Sequence, residues 1–271
     1  MAGGTTAPAI ATEARSMTSS LTVGGTVVRR VGLGTNRLTN TPGNQALLRE
    51  AVRAEVNFID TAYLYTGGDS ERTIGAALAP FPQGCVVATK GGYRPGEGRP
   101  EVLSAQIEES LRHLRVDQIE LYYLHRVDPE TPLETSLAVI RDYRDQGQIQ
   151  LVGVSDVGIE EIERARQVVP IAAVQNHYNL SDRRYEDVVD YCAEEQLVFV
   201  PYFPLRGDGG PALTEIARAH RATPSQIKLA WLLKRSPTML PIPGTLSAEH
   251  VRENLAALEI ELTEEEYQAL A

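Results

Sequence analysis

Four residues in the first half of the chain have types and spacing that suit a single proton transfer: Asp60, Tyr65, Lys90 and His125. Asp60 ends the run NFID, Lys90 ends CVVATK, His125 ends IELYYLH, and Tyr65 lies just past Asp60 in YLYTGG. Adding a hydride to a carbonyl requires a proton on the oxygen, and a tyrosine hydroxyl with a pKa near 10 is too weak an acid unaided. A lysine ammonium beside it favours the phenolate and so lowers that value, while an aspartate paired to the lysine keeps the ammonium charged and in place. A histidine on the next strand can hydrogen-bond the substrate oxygen and orient it. Taken singly, each residue has an ordinary structural role. Gathered at the ends of three successive β-rich runs, they fit one reaction, and it needs no metal.

Groups so spaced need elements that all end on one side of the molecule. From Val31 onward, short β-rich runs alternate with longer stretches of helical period, the pattern of parallel βα units. The predicted strands are VGLGT (31–35), NFID (57–60), CVVATK (85–90), IELYYLH (119–125), QLVGVS (150–155), IAAVQNHYN (171–179), LVFVPYF (197–203) and TMLPIPG (238–244). Between them, Asn44 before QALLREAVRAEV, Asp69 or Ser70 before ERTIGAAL, and Thr223-Pro224 before SQIKLAWLLKR read as helix starts. Eight such units predict an α/β fold closed into a (β/α)8 TIM barrel, in which reactive groups stand at the C-terminal ends of the strands. A doubly wound open sheet is the alternative. It calls for GxGxxG after the first strand, and GLGTNRLTN fails at the third glycine. Ahead of the first barrel strand, LTVGGTVVRR reads as a β-hairpin that caps the bottom of the barrel. Residues 1–20 are small and polar and read as a disordered tail, which leaves one domain over 21–271; Met17 is a second possible start.

Charge narrows the partners. With 26 Lys+Arg against 36 Asp+Glu, the formal net charge of −10 repels nucleic acid and anionic membranes. No apolar run reaches the ~18 residues that span a bilayer. Cys85 and Cys192 each sit in an apolar stretch and read as buried, reduced thiols of a cytoplasmic protein.

The segments NFIDTAYLYTGGDSERTIGAAL, VVATKGGY and LYYLHRVD resemble the three core blocks of the aldo-keto reductase family, and the likeness runs on through GVSD, VQNHYNL, PYFPL and IPGTLSAEHVRENLAAL, over about residues 21–270. The resemblance implies a barrel that binds NADPH in extended form, with NADH possible but weaker, and that reduces aldehydes or ketones. Tyr65 is then the proton donor, Lys90 and Asp60 its tuning pair, and His125 the orienting group. The implied cofactor contacts are Gly34 and Thr35 at the end of the first strand, Asp60 at the end of the second, Ser155, Asp156 and Gln175 at the carboxamide, and Tyr202 stacked on the nicotinamide. Phe203, Leu205 and Arg206 then fall at the pyrophosphate, and Gly244, Thr245, Ser247, His250, Glu253 and Asn254 at the adenosine phosphate. Four positions depart from the family pattern: Asp156 replaces an Asn, Phe203 a Ser, and Gly244 and His250 stand where many relatives carry Lys and Arg. The competing expectation is an NADPH-binding regulatory subunit with little or no catalysis. The pattern is similar to the bacterial branch that includes pyridoxal reductases. Short loops imply an open pocket for a small carbonyl substrate, and a monomer is plausible.

Overall fold

The computed structural model of the chain describes residues 19–270. The expected tail lies outside that range apart from Ser19 and Ser20, and Ser20 already pairs with Arg29. Strands β1 (Ser20–Val23) and β2 (Thr26–Arg29) form the expected hairpin around Gly24 and Gly25, both with positive φ. Seven strands follow: β3 (Leu33–Gly34), β4 (Phe58–Asp60), β5 (Val86–Gly91), β6 (Ile119–Leu124), β7 (Ile149–Ser155), β8 (Ile171–Gln175) and β9 (Val198–Phe199). They pair in parallel in chain order.

The eighth predicted strand closes the ring without forming a regular ladder. Leu240 donates its N–H to Phe199 O at 2.9 Å, while Gly32 and Gly34 donate to Pro241 O and Pro243 O at 2.9 and 3.2 Å. Pro241 and Pro243 accept these bonds but have no N–H to return, so the segment joins both neighbours with half the usual bonds on one side. The result is a closed (β/α)8 barrel.

Ten helices among the described residues surround it: α1 (Pro42–Arg53), α2 (Asp69–Leu78), α3 (Pro100–Leu114), α4 (Leu133–Asp145), α5 (Ile159–Val168), α6 (Glu186–Glu194), α7 (Gly210–Ala219), α8 (Pro224–Arg235), α9 (Ala248–Ala256) and α10 (Glu264–Ala269). Local chemistry sets their starts. Thr223 and Gln226 form a reciprocal capping box on α8. On α1 the cap is Thr41, whose hydroxyl accepts from Asn44 N at 3.2 Å, so that Asn44 lies in the first turn. Pro42 fits the first turn, where its missing N–H costs nothing, and so the helix begins earlier.

Alternation along the strands divides the interior in two. Outward side chains pack under the helices in one large apolar layer. Inward ones, among them Phe58, Val86, Leu121, Tyr123, Val198 and Leu240, fill the barrel, and Val23 and Val28 of the hairpin plug its lower end. Continuing the same alternation upward, the next inward positions are Asp60 on β4, Lys90 on β5, Ser155 on β7 and Gln175 on β8. The polar layer is therefore the top layer of the barrel.

Gly153 on β7 makes room for the fully buried Tyr123 ring: a Cβ there would fall 2.4 Å from two ring carbons. Gly153→Ala is expected to lower stability by roughly 1–3 kcal/mol through overpacking. Gly43→Ala, whose Cβ would meet nothing closer than Thr41 Oγ1 at 4.0 Å, is expected to lower it not at all. Urea unfolding of the two variants checks this contrast, and equal effects would contradict the packing account.

Candidate active site

The register of β4 against β5 pairs Asp60 with Ala88, which leaves Lys90 one inward position higher and directly over the carboxylate. Lys90 Nζ donates to Asp60 Oδ1 and to Thr61 O, both at 2.6 Å, and Gln175 Nε2 donates to Asp60 Oδ2 at 2.8 Å. The two charged side chains are 0% and 2% exposed. Burial pushes the Asp60 carboxyl above its usual range, with Lys90 and Gln175 pulling it back. Burial also works against the Lys90 ammonium, but the Asp60 carboxylate and the Tyr65 phenol outweigh it and hold Lys90 above its ordinary value. Lys90 thus stays charged.

Tyr65 opens a short 3-10 turn in which Thr66, Gly67 and Gly68 all have positive φ. Left-handed backbone costs a β-branched residue roughly 1–2 kcal/mol, and Thr66 is held there by a 2.7 Å bond from its hydroxyl to Leu38 O. The turn places the Tyr65 ring with its centre 5.1 Å from Lys90 Nζ and 6.1 Å from the His125 ring. Sequence reasoning expects Lys90 to lower the Tyr65 pKa. Lys90 does act in that direction, but burial is the larger influence and Asp60 adds to it, so the phenol lies above its ordinary value and holds its proton. His125 is kept well below the usual histidine range by burial, then by Lys90 and Arg126, and so is neutral; its Nδ1 is buried without a partner among the described residues.

Asp60, Tyr65 and His125 open onto one cavity of about 710 Å³. Of the predicted cofactor residues, Gly34, Thr35, Ser155, Asp156, Gln175, Tyr202, Phe203, Leu205, Arg206 and Gly244 line it. The Thr35 hydroxyl is engaged structurally, donating to Asp60 O at 2.8 Å and meeting Ser70 Oγ at 2.8 Å. Ser155 Oγ donates to Gln175 O at 2.7 Å. Asp156 has φ 54, a left-handed geometry that Asp tolerates as Asn does; its carboxylate accepts from Tyr202 OH at 2.7 Å and from Arg126 Nε at 3.2 Å. His177 stacks on Tyr202 at 5.2 Å between ring centres, and Arg206 lies over the Phe203 ring at 3.8 Å.

Thr245, Ser247, His250, Glu253 and Asn254 are not on this wall. They gather at the start of α9 and along it: Ser247 caps the helix by accepting from His250 N at 3.4 Å, and His250 Nδ1 lies 3.4 Å from Thr245 Oγ1. Asn36, Arg37, Tyr93 and Arg126 do line the cavity and were missed. The signal was available, because each lies just beyond the C-terminal end of a barrel strand, in TNR, GGY and HR.

Residues 30–271 match the model of the aldo/keto reductase family. The chain is 34% identical to pyridoxine 4-dehydrogenase of Escherichia coli, over 91% of this chain and 95% of the relative. Among solved structures, a thermostable aldo-keto reductase crystallised with the inhibitor epalrestat superposes with a TM-score of 0.85 at 34% identity, covering 93% of this chain and 98% of that one. An aldo-keto reductase from Klebsiella pneumoniae in complex with NADPH gives 0.84 at 29% identity, covering 93% of each.

Lys90→Met leaves the Asp60 carboxyl buried without its cation and is expected to cost roughly 3–5 kcal/mol at neutral pH. Without Lys90 the carboxyl, already raised by burial, rises further. A group whose folded value is raised contributes fully below its unfolded value of about 3.9, and the contribution is lost as pH climbs through the folded value. The deficit against wild type is therefore expected to shrink on acidification and to be largely recovered in the Lys90→Met, Asp60→Asn double variant. Denaturation across pH reads both; a pH-independent deficit with no recovery would contradict the buried pair.

Proposed function

Because the chain belongs to the aldo/keto reductase family, a family of oxidoreductases, we propose that it reduces an aldehyde or ketone with hydride from NADPH, Tyr65 protonating the carbonyl oxygen. The observation that carries this reading is the placement of the Tyr65 ring 5.1 Å from the buried Lys90 Nζ and 6.1 Å from the His125 ring, with Tyr65 and His125 opening onto one cavity. NADPH, when bound, supplies the hydride to the carbonyl carbon.

The protein's own groups do the rest. The neutral His125 imidazole donates a hydrogen bond to the substrate oxygen and fixes it against Tyr65. As the carbon accepts the hydride, its oxygen takes the Tyr65 proton, and the resulting phenolate is stabilised by the Lys90 ammonium. Asp60 remains ionised and keeps that ammonium in place. Solvent returns the proton to Tyr65.

The cavity suits a nicotinamide cofactor. Tyr202 offers a ring face toward it with the other face backed by His177, Asp156 supplies carboxylate oxygens for an amide N–H, and Arg37 and Arg206 supply cations for phosphates. Ser155 and Gln175 complete the carboxamide end, and the group from Thr245 to Asn254 is assigned to the adenosine phosphate. With Gly244 and His250 in place of fixed cations, NADPH is preferred over NADH by a modest margin. Buried free thiols at Cys85 and Cys192 support a reducing cytoplasmic setting, and no described helix is long and apolar enough to cross a membrane.

Tyr65→Phe removes the phenol proton and little else. It is expected to lower kcat by about 10²–10⁴-fold or more while leaving the Kd for NADPH, read by fluorescence titration, nearly unchanged. Near-normal turnover of a simple aldehyde in this variant would refute Tyr65 as the acid.

A further inference from the structure

Arg126 follows His125 directly and is placed unlike an ordinary surface arginine. Its guanidinium lies over the Tyr93 ring at 4.4 Å, and Tyr93 in turn lies 4.8 Å from the His125 ring. Nε is bonded to Asp156 Oδ2 at 3.2 Å. Stacked on one side and tethered at Nε, the fork is fixed in direction, while its two η-amino groups have no hydrogen-bond partner among the described residues. The side chain is 47% exposed and forms part of the cavity wall.

Tyr65, His125, Tyr93 and Arg126 therefore make one continuous wall, with the reacting end at Tyr65 and a planar cation one aromatic ring beyond His125. We infer that Arg126 is a specificity-determining residue that binds an anionic group on the substrate, so that the preferred substrates are carbonyl compounds carrying a carboxylate, or a phosphate, a few bonds from the carbonyl. This rests on the carbonyl-reductase reading and deepens it.

Two further features favour an anion there. With Arg37 and Arg206 assigned to the cofactor phosphates, Arg126 is the remaining arginine of the cavity wall, and Asp60 on that wall is already neutralised by Lys90. In addition, Asp156 shares its carboxylate with Tyr202 OH and engages only Nε of Arg126, which leaves the bidentate edge free for a second planar anion. Neutralisation by Asp156 and half-exposure limit the gain, so the expected preference is about 10- to 100-fold and not larger.

The test compares kcat/KM, with NADPH, for 4-carboxybenzaldehyde against its uncharged methyl ester and for glyceraldehyde 3-phosphate against glyceraldehyde, in wild type, Arg126→Gln, Arg126→Lys and Arg206→Gln. Using the ratio within each pair cancels intrinsic carbonyl reactivity when enzymes are compared. The charged-to-uncharged ratio is expected to fall about 10-fold or more in Arg126→Gln, through KM for the charged member, to recover partly in Arg126→Lys, and to hold in Arg206→Gln. A fall in the carboxylate pair alone identifies a carboxylate, and a fall in the phosphate pair alone a phosphate. Equal ratios in wild type and Arg126→Gln for both pairs would overturn the inference, as would an equal fall in Arg206→Gln, which would assign the preference to the general field of the cavity. Failure of wild type to oxidise NADPH with any of the four aldehydes would instead overturn the carbonyl-reductase reading itself, and this inference with it.

Discussion

The ion pair between Asp60 and Lys90 is the interaction on which the top of the barrel depends. Either charge alone, buried at this depth, costs several kcal/mol; together, with a further hydrogen bond to each, the pair is tolerated. Thr61 O takes a second Lys90 proton and Gln175 satisfies the second Asp60 oxygen. That arrangement needs β4, β5 and β8 in their observed register, since a one-residue slip would turn Lys90 out of the barrel and under the helices. Once fixed, the ammonium acts on its neighbours through low-dielectric surroundings. It opposes the effect of burial on Tyr65 and adds to the depression of His125. A protonated phenol and a neutral imidazole are the states a proton donor and an orienting group require.

Around this pair, polar side chains tie the loops to the strands and leave the cavity face open. Ser70 on α2 meets both Thr35 and Thr61, so the first turn of that helix is bonded to the segments that follow β3 and β4. Glu71, fully buried on the same helix, accepts from Thr89 at 2.6 Å and steadies the strand residue next to Lys90. The ion pair of Arg126 with Asp156 is of another kind. At 47% and 20% exposure it is screened by solvent and adds little to stability, and together with the Tyr93 ring it orients the guanidinium at the rim. The buried pair lies beside Tyr65 and His125 at the top of the barrel, and the half-exposed one lies on the cavity wall.

Much of this was legible in the sequence, for reasons that particular residues make plain. Asp60, Lys90 and His125 were found because inward alternation and the strand-end rule locate them without knowledge of the fold's details. The barrel followed from eight β-rich runs, although the last, TMLPIPG, makes only isolated bridges because its prolines lack donors. Helix starts were less secure: α1 begins at Pro42 behind its Thr41 cap, two residues before Asn44. Interactions between residues distant in sequence were invisible. Nothing in the string joins Gln175 to Asp60, Arg126 to Asp156, or Tyr93 to both His125 and Arg126. The direction of the Tyr65 shift was also missed, because pairing with lysine is visible in a pattern of residue types while the depth of burial is not.

The central claim is that Lys90 is a charged ammonium inside the barrel. Its ¹⁵Nζ resonance in selectively labelled protein, identified by its loss in Lys90→Met, reports the charge state directly. The account predicts an ammonium shift that holds from about pH 6 to about pH 10, since Asp60 and Tyr65 keep the group above its ordinary lysine value. A neutral-amine shift near pH 7, or a titration centred well below about pH 10, would contradict it.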